Sequence, residues 1–188
     1  RYHDELEQRV RERTSELMVS NQALSMEIED RNRAEMALRD SERRLSDIIE
    51  FLPDATFVID RDGKVIAWNK SMETMTGIAA RDMLGRGNYE YAVPFYGERR
   101  PILIDLVFSA EDEIARRYAS FQKRGDILSG ESYIPRHGSS REKLYLSGTA
   151  APLYDFQGNL VGAIESIRDI TERKRAEEAL RYRDAILE

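Results

Sequence analysis

The sequence predicts an α+β fold: a five-stranded antiparallel sheet with short helices on one face, preceded by a long coiled-coil helix and followed by a helix that leaves the domain. Three observations predict it. A seven-residue apolar repeat free of proline and glycine runs from the N-terminus to Pro53. Two short β-branched runs, several brief helical segments and three longer strand-like runs follow in that order, the signature of strands and helices segregated into layers. Finally, Ile28, Arg31, Arg33, Ala34, Glu35, Ala37, Leu38 and Arg39 come back at a constant offset as Ile170, Arg173, Arg175, Ala176, Glu177, Ala179, Leu180 and Arg181. A helical segment that recurs after one domain's length marks an array in which similar helices join successive units. The chain therefore reads as one unit of such an array, a piece of a longer protein. Its parts are a coiled-coil helix over 1–50, a globular domain over 51–171 and the start of a further helix over 172–188.

Val10, Leu17, Leu24, Leu38, Leu45 and Leu52 lie on one seven-residue column, interrupted only by Arg31. Leu6, Ile28, Ala34, Ile48 and Ile49 support it, while Glu7, Thr14, Asn21, Glu35 and Glu42 leave the companion positions polar. About 45 residues at ~1.5 Å each make a rod of roughly 70 Å. That length overhangs a domain of roughly 30 Å, so the seam, with Val10, Leu17, Leu24, Ile28, Leu38 and Leu45 at its centre, calls for a second copy of the chain. Its half-polar companion positions make it weaker than a structural zipper.

Pro53 ends the helix, because proline lacks the amide donor and clashes with the preceding turn. Ala55 to Asp60 and Lys64 to Trp68 read as strands joined by a hairpin at Asp62-Gly63. Asn69 is placed to cap a short helix, Lys70 to Thr76, with Gly77 as its stop. Ala80 to Leu84 is a further helical turn closed by Gly85. Glu98 to Phe108 reads as a helix with Ile102, Leu103, Leu106 and Val107 inward and Pro101 in its first turn. Glu111 to Phe121 reads as a charged helix. Ile127 to Pro135, Glu142 to Tyr154 and Leu160 to Arg168 complete the sheet, with turns at His137-Gly138 and around Gly158.

Composition narrows the function. The net charge is −6, and the arginines are interleaved with glutamates, so no cationic surface for nucleic acid is predicted. With no cysteine there is no disulfide framework, thiolate metal site or cysteine nucleophile. No apolar run approaches the ~20 residues of a membrane span, which predicts a cytoplasmic fragment without membrane contact of its own, tethered if at all from outside it. No phosphate-cradling glycine loop, metal cluster or nucleophile–base pair stands at motif spacing, so no catalytic residue and no metal ligand is assigned.

The middle of the chain resembles a PAS sensor domain. The resemblance rests on Phe57-Val58-Ile59-Asp60-Arg61-Asp62-Gly63, Ala67-Trp68-Asn69, Met75-Thr76-Gly77, Met83-Leu84-Gly85, Asp155-Phe156-Gln157-Gly158-Asn159-Leu160-Val161-Gly162 and Asp169-Ile170-Thr171-Glu172-Arg173-Lys174, in the family's order. It covers roughly residues 46 to 175, and the flanking helix looks like the linkers of prokaryotic multidomain histidine kinases. The chain departs from the pattern in its long segment between Ser109 and Asp126, and in Ala79, where a capping serine is usual.

The resemblance implies a ligand cavity between sheet and helices, walled by Phe57, Trp68, Met72, Met75, Leu84, Tyr89, Tyr91, Phe95, Tyr96 and Ile104 and suited to a small organic molecule. The same side chains can equally fill a closed core. It also implies a signal junction at Asp169 and Thr171, where the threonine can cap the following helix and the carboxylate can accept hydrogen bonds from the sheet. The cofactor stays unknown. The absence of cysteine excludes covalent flavin or coumarate chemistry, and His137, in a turn rather than on a helix, is badly placed for a haem; noncovalent flavin stays open. The implied function is a sensory and dimerisation module of a signal-transduction protein, a histidine kinase, partnered by a second copy and by neighbouring domains of its own chain. The alternatives are a ligand-free structural spacer and the regulatory domain of a cyclic-dinucleotide enzyme.

Overall fold

The computed structural model describes residues 2–109, 115–135 and 143–187. The chain forms two compact units, Arg1–Asp47 and Ile48–Glu188. The first lies within helix α1 (Tyr2–Glu50), which has no buried residue. Val10, Leu17, Leu24, Ile28, Leu38 and Leu45 are all more than half exposed, so the apolar seam meets nothing within its own helix. Pairs three and four residues apart, such as Arg39 with Glu35 and Arg44 with Asp40, lace its surface.

The second unit is an antiparallel sheet with short helices. Its strands are β1 (Ala55–Asp60), β2 (Val65–Trp68), β3 (Gln122–Arg124), β4 (Ile127–Pro135), β5 (Lys143–Tyr154) and β6 (Leu160–Asp169), in the spatial order β2-β1-β6-β5-β4-β3. Helices α2 (Lys70–Thr76), α3 (Ala80–Met83) and α4 (Val93–Tyr96) follow β2, and α5 (Thr171–Leu187) follows β6. The hairpin between β1 and β2 forms as its residues dictate. The Asp60 carboxylate accepts from the amides of Asp62 and Lys64, and Gly63 supplies a φ of 75° that a side chain would resist. β1, flanked by β2 and β6, is buried on both faces, Thr56 included.

Asn69 caps α2, as its sequence position predicts, and does more. Its Oδ1 accepts from the amides of Met72 and Thr56, both at 2.9 Å, and its Nδ2 donates to the carbonyls of Asp54 and Leu52. One buried side chain thus ties the chain before β1 to the start of α2. Ala79 offers α3 no side-chain cap; Glu73, on the preceding helix, accepts from the Ala80 amide at 2.7 Å instead.

Three expectations are corrected. The sheet has six strands rather than five. The extra one, β3, consists of three exposed polar residues whose sequence carries no alternation; its ladder with β4 around the Gly125-Asp126 turn creates it. The helix expected over Glu98 to Phe108 shrinks to a 3-10 segment, Leu103–Val107. Proline disfavours helical backbone in the residue before it, Ile102 is extended, and the Asp105 carboxylate caps that residue's amide at 2.8 Å. Its buried residues are accordingly Leu103 and Ile104, joined by Ile102 just before it, while Leu106 and Val107 are only half-buried. The helix expected over Glu111 to Phe121 lies partly outside the described residues, and residues 116–120 form turns.

Candidate functional site

The side chains named for a pocket do not share one cavity. Phe57, Met72, Tyr91 and Ile104 are fully buried, and Trp68 nearly so. The Phe57 ring packs on Tyr91 at 5.3 Å and on Trp68 at 5.8 Å, and the Trp68 indole donates to the Ile78 carbonyl. These residues form a closed core. The Tyr91 hydroxyl donates to Asp105 at 2.6 Å, and burial pushes its ionisation well above the ordinary tyrosine range. Leu84 points away, 46% exposed, at the position that closes α3.

The remaining residues line three separate spaces. Tyr89, held with Asn88 in left-handed backbone, borders with Tyr91 a surface hollow of about 410 Å³ beside Asp62 and Asp105. Met75 and Phe95 line an open cleft of about 840 Å³ between α2 and the inner face of β4, β5 and β6, which reaches Asp169. Phe95 and Tyr96 also border a small space of about 20 Å³ deep between the layers, with Tyr118, Ser132, Gly148 and Glu165. His137 lies outside the described residues.

Glu165 is the residue that sequence reading missed. It is 3% exposed on the inner face of β6, and its Oε2 accepts from the Ile104 amide at 3.0 Å. Burial raises its pKa to about 8; the Ile104 N–H opposes the rise and the Asp105 carboxylate adds to it. Gly148, which pairs with Ile167, lies diagonally across the ladder from it, and a Cβ there would stand 2.8 Å from Glu165 Oε1. A signal did exist: with a period of two, Ala163, Glu165 and Ile167 share the inward face, so a glutamate sits where an apolar side chain is the rule.

At the end of β6 the predicted junction residues meet, with their roles exchanged. Asp169 Oδ1 accepts from the Thr171 amide at 2.8 Å, so the aspartate satisfies the first N–H of α5. Thr171, 8% exposed, turns its hydroxyl to the sheet and accepts from the Tyr145 amide of β5 at 3.0 Å. The Ile170 amide donates to the Tyr145 carbonyl at 2.9 Å, so both backbone groups of that strand residue are held by the junction. Ionic contacts flank it. Arg168 grips Asp54 with two nitrogens at 2.9 and 2.6 Å, joining the end of β6 to the start of the domain. Glu131 of β4 accepts from Arg173 at 2.6 Å and Lys174 at 2.7 Å in the first turn of α5; Lys174 foremost holds its carboxyl below the usual range.

Residues 49–175 match the PAS_4 family, a PAS fold. The chain belongs to the PAS fold family. Among its relatives, it is 27% identical over 150 residues to the methanogenesis regulatory histidine kinase FilI of Methanothrix harundinacea, covering 78% of this chain and 15% of that protein. It is 23% identical over 135 residues to phytochrome B of Sorghum bicolor, covering 70% of this chain and 10% of that one. The chain thus spans only a small part of each. Among solved structures, an RNA-binding light-oxygen-voltage receptor superposes with a TM-score of 0.51 at 19% identity, covering 77% of this chain and 37% of that one. Among the described residues, the PAS domain and its flanking helices include no helix long and apolar enough to cross a membrane and no cluster of metal-ligating side chains.

Proposed function

We propose that this PAS domain is the sensory and dimerisation module of a cytoplasmic signalling region, the regulatory part of a histidine kinase, which passes the state of its core to the flanking helices. The observation that carries the reading is the junction. Asp169, Ile170 and Thr171 bind β5 and the first turn of α5 in one hydrogen-bonded unit, so a shift of strands β5 and β6 moves the start of the helix. The relative FilI, a histidine kinase, supports the output. The exposed leucine column of α1 supports a second copy of the chain as partner, since apolar side chains at seven-residue spacing gain most by facing their own image. Neighbouring domains of the same chain and a small organic ligand complete the partners.

Leu24→Glu with Leu38→Glu places charges in the seam and should convert a dimer into monomers in sedimentation; a wild-type chain already monomeric at ~100 µM removes the dimerisation half of the reading. The second reading, a ligand-free spacer, is favoured by the closed packing of Phe57, Met72, Tyr91 and Ile104. Native mass spectrometry separates the two: a retained small molecule supports the sensor, and a bare chain at every purification temperature supports the spacer.

A further inference from the structure

Glu165 is a carboxyl group withdrawn from water, and no cation among the described residues is one of the groups that act on it. The groups that act on it are the Ile104 N–H and a second carboxylate, Asp105, and it acts in turn on the hydroxyls of Tyr91, Tyr96 and Tyr118. The Arg100 guanidinium lies over the Tyr96 ring, 3.9 Å from its centroid. Burying a charge costs heavily unless a partner compensates it. The space against this carboxyl group measures about 20 Å³, more than the ~10–15 Å³ that one water-sized group requires. It is walled by aromatic rings, Phe95, Tyr96 and Tyr118, with the Ser132 hydroxyl among them. Aromatic faces attract cations, most strongly where water is excluded. Gly148 keeps the space open, because any Cβ there would collide with Glu165 and Leu103.

We infer that this cavity is a binding site for the ammonium head of a small amine, with Glu165 as its counter-ion and Phe95, Tyr96 and Tyr118 as its aromatic walls. An ammonium group is the size of the water that the space admits, and its charge is the one the Glu165 carboxylate would need beside it. The inference rests on the sensor reading and deepens it by naming the class of ligand. Ser132 links the site to the junction. It faces the cavity from β4, whose preceding residue, Glu131, faces outward to Arg173 and Lys174 of α5.

The test uses methylammonium chloride, with methanol as its neutral match in size and sodium chloride as the ionic control. Titration of the ¹⁵N-labelled chain is followed at the Ile104 amide. The expected result is a saturable shift with methylammonium and none with methanol. At two heavy atoms, a Kd of order 10 mM is the most such a probe can reach. Glu165→Gln keeps an oxygen for the Ile104 amide and removes the charge, and should weaken binding at least tenfold. Because the carboxyl must lose its proton to solvent before it can pair with a cation, wild-type binding should tighten from about pH 7 to about pH 9, where an alkylamine is still charged. Equal responses to methylammonium and methanol, equal affinity in Glu165→Gln, or no saturable shift at ~100 mM each overturn the site. None of these outcomes touches the junction. A wild-type chain that binds methylammonium without any change in α5 amide exchange would instead keep the site and overturn transmission to the helix.

Discussion

Thr171→Val is the substitution that asks most of the junction. Valine matches threonine in shape and leaves the helix start intact, so only the hydroxyl oxygen is lost. That oxygen accepts from the Tyr145 amide at 3.0 Å, at a residue 8% exposed. Leaving this part-buried donor unpaired costs about 1–3 kcal/mol, against about 1 kcal/mol for loss of a helix cap in Asp169→Ala. A domain of this size is stable by roughly 5–15 kcal/mol, so both variants fold. With a urea slope near 2 kcal/mol per molar, Thr171→Val should lower the midpoint by about 0.5–1.5 M, and Asp169→Ala by about 0.5 M. Hydrogen exchange separates the two further. The Tyr145 amide should lose protection selectively in Thr171→Val, while in Asp169→Ala the added exchange should concentrate in the first turn of α5. An unchanged midpoint together with unchanged protection at Tyr145 would refute the view that this hydroxyl joins strand to helix.

Three further outcomes follow from the same geometry. Glu131→Gln removes the charge shared by Arg173 and Lys174; amide exchange in the first turns of α5 should rise, and its dependence on salt should fall, measured between low and ~0.5 M sodium chloride. Glu165 carries a pKa raised from 4.5 to about 8, so folding binds its proton more tightly; its contribution is complete below the unfolded value and is lost as pH rises through about 8. Urea midpoints of the wild type should therefore fall across that window, and those of Glu165→Gln should fall less. Gly148→Ala places a methyl group 2.8 Å from Glu165 Oε1 and 3.0 Å from Leu103 Cδ2; a loss of about 1–3 kcal/mol is expected, and an unchanged midpoint would show that Glu165 moves aside freely.

What the sequence determined by itself are the features written in local chemistry. The seven-residue column specifies α1, Asp62-Gly63 specifies the hairpin, and Asn69 and Gly77 bracket α2, because each depends on neighbours a few residues away. The order of strands in the family pattern was legible for the same reason. Only the tertiary structure decided what depends on partners distant in the chain. Strand β3 has no apolar alternation and exists because β4 offers it a ladder. Thr171 was readable as a helix cap, yet its hydroxyl turns to Tyr145, 26 residues upstream, which only the sheet register brings within reach. Tyr91 and Ile104 read as pocket walls and became closed core, while a small space formed at Glu165, whose contact with Ile104 crosses 61 residues. A carboxyl group's burial is set by the layers that close over it, and no local pattern records which layers those are.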